Sequence, residues 1–540
     1  MAYNIADLFE YTVDAVPDRM ALIDGDLHQT FAELDARANR VANALIERGV
    51  QPGEHVGIYA QNSHEWIEAM YGAFKARAIP ININFRYVED ELSYLLGNAD
   101  CVVCIFDRQY APTLANVVEA TPTLREAWWI DDGTDTDVSV VTGVRVDPFD
   151  EVVGAASTER PKIERSPDDL YVLYTGGTTG LPKGVMWRQE DVFFALGQGI
   201  DAVTGERVTS DQGMAEKARN GFPLVFLVIP PMMHGAAQWG TMGQMLQGNT
   251  IVLLPKFSPE AVWEVIEREK CNAMLITGDA MGRPMIDHLQ EDPSRYDTSS
   301  VLSVSSSAAI FSPTVKDQFL EVFPNLIITD SIGSSESGFN GLRMVGKGDT
   351  QMKGGGPTVT PGPDMVILDE DLNPIPCDSD KVGKMGRGGN IPLGYYKDEV
   401  KTAATFVTAA DGRRYAVSGD QARWESDGTV TLLGRGSSTI NSGGEKIHPE
   451  EVEQALKDHP AVFDCIVVGV PDERWGQKVA AVVQFREGKK AELEDLADHA
   501  RKFVAGYKVP RELHVVPEVV RSPSGKADIP WAAKLARGDR

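Results

Sequence analysis

Short apolar runs bounded by turn or helix signals recur through the 540 residues of this chain, and they constrain its fold more than any other feature. Residues 55–60, 79–83, 101–106, 170–174, 224–229, 250–254, 273–276 and 326–329 read as buried strands. Residues 66–75, 259–270 and 313–323 read as helices, the last two with proline suitably placed in the first turn. Thr30-Phe-Ala-Glu33 has the form of a capping box, followed by Leu34, Val41 and Leu45 at helical spacing. Strands alternating with helices predict layered α/β architecture. The length exceeds what one core serves, so two or three domains are expected. Beyond about residue 355 the texture changes to short strands with Gly, Pro and Asp turns. A polar stretch near Gly434-Arg-Gly-Ser-Ser-Thr439 reads as a hinge. The predicted division is a large N-terminal domain over 1–436 and a small α+β domain over 437–540. In the latter, 450–459 and 491–504 read as helices and 464–470 and 478–485 as strands.

Charge excludes one class of function. The formal net charge is −27, from 52 basic and 79 acidic residues, so an overall basic footprint for nucleic acid is absent. The acidity serves solubility. The N-terminus has no basic segment leading into an apolar one, and no run of about 18 apolar residues suggests a membrane span. The stretch 222–231 is short and proline-bounded, and reads as a buried strand. Five cysteines are too few for a disulfide framework, and Cys101 and Cys104 lie in an apolar run that reads as core. A cytoplasmic location is expected.

Four polar segments are candidates for chemistry, against a flexible surface turn for the first, a polar turn for the second, turn chemistry for the third and a solvated lysine for the fourth. Tyr174-Thr-Gly-Gly-Thr-Thr-Gly-Leu-Pro-Lys183-Gly follows a strand-like run. Its glycines let backbone N–H groups approach oxygen closely, Thr175, Thr178 and Thr179 add hydroxyls, and Lys183 adds a positive charge. Pro182 before the lysine and Gly184 after it exclude a Walker A loop. Asp330-Ser-Ile-Gly-Ser-Ser-Glu336 offers a hard oxygen ligand suited to Mg²⁺. Asp420, after a short strand, suits two ribose hydroxyls or a turn. Arg521-Ser-Pro-Ser-Gly-Lys526 presents a lysine on a loop near the C-terminus.

In this order, with Arg435 and the Gly443-Gly444 turn, these segments resemble the adenylate-forming superfamily of acyl-CoA synthetases, luciferases and peptide-synthetase adenylation domains. The resemblance runs nearly the whole chain. Gly176 stands for a frequent serine, Ile332 for a tyrosine, Ser307-Ala308-Ala309 for a Gly-Gly-Ala segment, and Ser418 for a threonine. Ser437 and Asn441 depart from the Asp or Lys and the Lys common in the hinge motif.

The resemblance implies an N-terminal adenylation domain, a mobile C-terminal domain carrying the catalytic lysine, and ATP, Mg²⁺, coenzyme A and a hydrophobic carboxylic acid as partners. Lys526, Glu336 and Lys183 would act in catalysis. ATP would be bound by Thr175, Gly176, Gly177, Thr178, Thr179, Gly180, Lys183, Ser307, Ala308, Asp330, Ser331, Ser335, Asp420, Arg435 and Lys526. Glu336 and Thr175 would hold the metal. Gly443 and Gly444 would flank the thiol of coenzyme A, with the pivot at Ser437. His234, Trp239 and Gly333 would border the acyl pocket, with core packing the competing role for His234 and Trp239.

Met232, Met233 and Met242 suit a bulky apolar acid or a methionine-rich core. The stretches reaching Trp187-Arg-Gln-Glu190 and spanning Thr277-Gly-Asp-Ala-Met-Gly-Arg-Pro284 resemble actinobacterial synthetases for steroid side-chain or long-chain fatty acids. Asp279 reads either as pocket wall or as a solvated loop residue. Medium-chain or aryl acids, an acyl-AMP ligase feeding a separate carrier protein, and a non-catalytic nucleotide-binding regulator are the alternatives. A homodimer is left open.

Overall fold

Strands covered on both faces need apolar residues at nearly every position, because no face meets water. That is the texture of Cys101–Asp107 and Thr250–Leu253, where every residue is buried. The computed structural model describes residues 3–175, 181–196, 199, 207–350, 357–435, 438–442, 445–472, 475–522 and 525–538; at 418, 435, 441, 445 and 446 it describes the backbone alone. The chain is an α/β protein with a large N-terminal domain and a smaller C-terminal one. By packing it divides into two compact units. The first comprises Met1–Leu275, Tyr296–Val301 and Asn390–Thr405, and the second Ile276–Arg295, Leu302–Gly389 and Phe406–Arg540.

In the first unit, five parallel strands run in the order Ile79–Asn82, His55–Tyr59, Cys101–Asp107, Glu126–Ile130 and Arg145–Pro148. Val225–Val228 pairs in parallel with Thr250–Leu253, which pairs with Met20–Asp24. The predicted strand 222–231 is shorter than expected. Only Val225–Val228 is extended, and Phe222 is 77% exposed, because the prolines at 223 and 230 lack the N–H a ladder needs. A separate antiparallel sheet joins Leu170–Thr175, Lys183–Arg188 and Gly394–Tyr395.

The capping box forms as predicted. The Thr30 hydroxyl accepts from Glu33 N at 3.2 Å, and the Glu33 carboxylate accepts from Thr30 N at 2.8 Å. The helix it starts, Phe31–Glu47, packs closely on His64–Lys75. A Cβ at Gly72 would lie 2.4 Å from Val41 Cγ1, so only glycine permits the approach. Cys101 and Cys104 are buried as expected, and burial pushes the Cys104 thiol up to about 12, which makes it a packing group.

Asp107, 3% exposed, ends a core strand and accepts one N–H bond, from Gln61 at 2.9 Å. Burial raises its carboxyl to about 7, against an ordinary value of 3.8. Because the folded value lies above the unfolded one, this group costs stability as pH rises between those two values. Asp107→Asn keeps the acceptor and removes the charge. The variant should gain on wild type from pH 5 to pH 8, reaching on the order of 2 kcal/mol in urea unfolding at pH 8. Equal margins at both pH values would clear the carboxyl of this effect.

In the second unit the strand order is Met365–Leu368, Val382–Arg387, Arg414–Trp424, Val430–Arg435, Thr358–Pro361, Gly338–Val345, Ile327–Ser334 and Ser303–Ser306. A further sheet is built from Glu445–Ile447, Ile440–Ser442, Gly476–Phe485, Val462–Asp472 and Glu512–Val515. Alternation decides its two faces. Cys465 and Val467 pack with Val452, Leu456 and Leu496 of the helices Pro449–Lys457 and Leu493–Ala500. Ile466, Val468 and Val470 pack with Ala532 and Ala536 of the C-terminal helix Ile529–Arg537. Among the described residues no helix is long and apolar enough to cross a membrane.

Candidate functional site

The strands on either side of the glycine- and threonine-rich segment, Leu170–Thr175 and Lys183–Arg188, pair antiparallel in the first unit. Thr175 and Lys183 are direct cross-strand partners, so Lys183 opens a strand instead of riding on the loop. Its ammonium lies 5.5 Å from the centre of the Tyr395 ring, a cation–π distance. A Cβ at Gly184 would lie 2.7 Å from the Tyr174 ring, which fixes glycine after the lysine. Gly176, Gly177, Thr178, Thr179 and Gly180 lie outside the described residues.

His234 precedes the helix Gly235–Leu246, its N–H bonded to the Pro231 carbonyl at 3.0 Å. The Trp239 indole donates to the Tyr171 hydroxyl at 3.2 Å, and that hydroxyl donates to Gln238 Oε1 at 2.8 Å. Met232, Met233 and Met242 are core residues. Two buried asparagines that sequence reasoning passed over hold this region. Asn82 Nδ2 donates to the Met233 carbonyl at 2.6 Å and the Tyr174 carbonyl at 2.8 Å, and Asn82 Oδ1 accepts from Tyr174 N at 2.8 Å. One side chain therefore ties the strand that enters the loop to the residue beside His234. Asn62 accepts from Met232 N at 2.6 Å and donates to the Pro230 and Leu254 carbonyls. The available signal was a polar residue inside an apolar run, as in Ile79-Pro-Ile-Asn-Ile83.

Most of the other predicted residues lie in the second unit. The predicted strand 326–329 is observed as Ile327–Ser334, so Asp330 and Ser331 are strand residues beside Ser303–Ser306. The buried Lys316 ammonium holds the Asp330 carboxylate, but burial still keeps that carboxyl above its ordinary value. Ser331 Oγ donates to the Ser306 carbonyl at 3.2 Å, and Ser306 Oγ accepts from Gly278 N at 3.1 Å. Ser307 and Ala308 follow directly, with Ala308 exposed and at φ 68°, in the left-handed region. Ile332, at the expected tyrosine position, packs in an apolar cluster with Val359, Met365 and Ile367. Gly333 is exposed at the hairpin, where a Cβ would lie 2.3 Å from the Gly338 carbonyl oxygen.

Ser335 and Glu336 occupy the turn of that hairpin, both half-buried. Ser334 and Ser337 hydroxyls bond at 2.9 Å, Asn340 donates to Ser337 Oγ at 2.7 Å, and Arg387 donates to the Ser337 carbonyl at 3.1 Å. Arg387, buried and 50 residues distant, gave no local sequence signal. A half-buried carboxylate on a braced turn suits a hard divalent cation.

Asp420 corrects the reading of a short preceding strand. It lies within the long strand Arg414–Trp424, paired in register with Arg435. Asp279 is no solvated loop residue. It is 7% exposed in the first turn of the helix Gly278–Glu291 and accepts from Ser312 N at 2.8 Å. The Lys526 turn packs on this helix start, since a Cβ at Gly525 would lie 3.0 Å from Ala280 Cβ and 3.1 Å from Thr277 Cγ2. Lys526 itself is exposed. Ser437, Gly443 and Gly444 lie outside the described residues.

Residues 9–396 match the family described as AMP-binding enzyme, and residues 451–526 match the AMP-binding enzyme C-terminal domain. The 3-oxocholest-4-en-26-oate–CoA ligase of Rhodococcus rhodochrous is 52% identical over 536 residues, covering 98% of this chain and 96% of that protein. The medium/long-chain-fatty-acid–CoA/3-oxocholest-4-en-26-oate–CoA ligase of Mycolicibacterium smegmatis is 50% identical with the same coverage. The crystal structure of the anthranilate CoA ligase AuaEII with anthranoyl-AMP shares the fold at TM-score 0.84 and 22% identity, over 99% of this chain and 98% of that one. The chain belongs to the AMP-binding enzyme family, as an AMP-forming acid–thiol ligase.

Proposed function

We propose that this ligase activates a steroid side-chain or long-chain fatty acid. The supporting relatives, named for such acids, align along almost the whole chain at half identity or more. The observation that carries the mechanism is the Lys526 turn seated on the helix start at Thr277 and Ala280, a start that bonds through Gly278 N to Ser306, the residue before Ser307 and the register partner of Asp330. In the first half-reaction a substrate carboxylate oxygen attacks the α-phosphorus of ATP, and the bond to pyrophosphate breaks. Both reactants are anionic, so charge neutralisation and positioning supply most of the catalysis.

Lys526 bridges the carboxylate and the α-phosphate. Lys183 and the loop from Thr175 to Gly180 receive the pyrophosphate. Asp420 and Arg435 hold the ribose, while Ser307, Ala308, Asp330, Ser331 and Ser335 bind the rest of the nucleotide. Glu336, with Thr175, is the oxygen donor assigned to Mg²⁺, which when bound offsets phosphate charge. His234, Trp239 and Gly333 border the acyl chain. In the second half-reaction the thiol of coenzyme A, passing Gly443 and Gly444 after a pivot near Ser437, attacks the acyl carbonyl. The bond to AMP breaks and the thioester remains.

A panel of steroid side-chain, long-chain, medium-chain and aromatic acids, read as AMP release with coenzyme A, tests the substrate. The steroid or long-chain acids should lead in kcat/KM by about tenfold or more over the aromatic ones. Preference for aromatic acids would overturn the assignment. ATP–pyrophosphate exchange without coenzyme A separates an enzyme from a nucleotide-binding regulator.

A further inference from the structure

The lysine turn is anchored by an ion network in its own sheet. The Arg521 guanidinium donates in two directions. Nε and Nη2 fork onto Asp464 at 2.5 and 2.7 Å, while Nη1 donates to the Gly525 carbonyl at 2.9 Å, the peptide that leads into Lys526. Asp464 is also bound by Lys457 Nζ at 3.1 Å and by its neighbour's backbone, Cys465 N, at 2.8 Å. Lys457 and the Asp464 side chain are 4% and 13% exposed, so the network is largely shielded from water. Burial alone would raise the Asp464 carboxyl; Lys457 and Arg521 outweigh it and hold it far below the carboxylate range.

The turn is closed from inside as well. Gly525 N donates to the Ser522 carbonyl at 2.8 Å, Ser522 N to the Lys526 carbonyl at 2.8 Å, and Lys526 N to Ser522 Oγ at 3.1 Å. The internal bonds shape the turn, the Arg521–Ala527 bridge closes its base, and the Arg521 side chain ties its Gly525 end to the strand Val462–Asp472 through Asp464. With φ +74° at Gly525 and Thr277 and Ala280 against it, a small rotation of the turn moves the base of the Lys526 side chain.

We infer that Arg521, braced by Asp464 and Lys457, is a positioning residue that aims Lys526 for acyl-adenylate formation. This rests on the function proposed above. An ammonium that must meet two reacting oxygens tolerates little displacement, and a misplacement of about 1 Å costs roughly 100-fold.

The test compares Arg521→Lys with wild type. Lysine keeps a cation beside Asp464, but its single nitrogen cannot both fork the carboxylate and reach Gly525. ATP–pyrophosphate exchange should fall at least about tenfold, and thioester formation from preformed acyl-AMP should stay within about twofold. Amide hydrogen exchange across residues 519–528 should quicken. Asp464→Asn should act in the same direction; if it fails to fold, Arg521→Lys alone decides. Unchanged pyrophosphate exchange, or equal loss in both half-reactions, would overturn the inference. If wild type exchanged pyrophosphate with no acid, the functional reading would fall. Amide exchange would then decide the anchoring: quicker exchange in Arg521→Lys upholds it and unchanged exchange refutes it.

Discussion

Lys526→Ala should lower ATP–pyrophosphate exchange by about 100-fold or more, yet leave thioester formation from preformed acyl-AMP within about twofold. The reason is where charge has to be neutralised. In the first half-reaction an anionic carboxylate approaches an anionic phosphate, and without a cation between them the repulsion stands uncompensated. In the second, a thiol attacks a mixed anhydride, and the departing AMP needs no bridge to the acid. Lys526 is exposed at the end of a turn with a fixed backbone, which suits a cation that meets a ligand. Exposure also makes a folding defect in the alanine variant a poor explanation for lost activity, because little buried contact is removed. A stopped assay with synthetic acyl-AMP separates the two half-reactions. Equal loss in both would sink the role assigned to this lysine.

The second large effect is on stability. Lys75→Met should cost about 3 kcal/mol or more at pH 7. The Lys75 side chain is wholly buried, and its ammonium bonds to Glu10 and, at 2.7 Å, to Asp35. Methionine fills similar space but leaves two carboxylates short of a cation in a site shielded from water. Arg165 beside Glu10 and Arg160 beside Asp35 compensate in part, which sets the figure at the lower end of the range for broken buried pairs. Burial would raise the Glu10 carboxyl, but Lys75 and Arg165 outweigh it and hold it below its ordinary value of 4.5. A depressed carboxyl contributes stability above its unfolded value and loses it as pH falls through the folded one. The deficit of Lys75→Met should therefore shrink on the acid side of that value. Urea unfolding at pH 7 and pH 3.5 measures both; no loss at pH 7 would show the network to be idle.

The segments proposed to form the site stand out in the sequence because each is short. The Gly333 position before the turn at Glu336 and Gly525 before Lys526 each carry backbone demands that few residues meet. The order of the segments along the chain then spoke for the family, which the matches over residues 9–396 and 451–526 bear out. The exchange of tyrosine for Ile332 was visible too. That the isoleucine turns into an apolar cluster was not, because side-chain direction depends on strand register.

Strands, helices and one capping box followed from patterns no longer than a few turns, since hydrophobic period and helix capping act between near neighbours. What only the tertiary structure decided are pairings over long separations. Asn82 reaches Tyr174 across 92 residues, Arg387 reaches Ser337 across 50, and Arg521 reaches Asp464 across 57. Each is a polar side chain bonded to a distant partner that no local window contains. The sequence by itself determined the family and the class of reaction, through short motifs in a fixed order. Burial, which withdraws water and leaves each polar group the partners the fold brings to it, decided how the residues of those motifs are held.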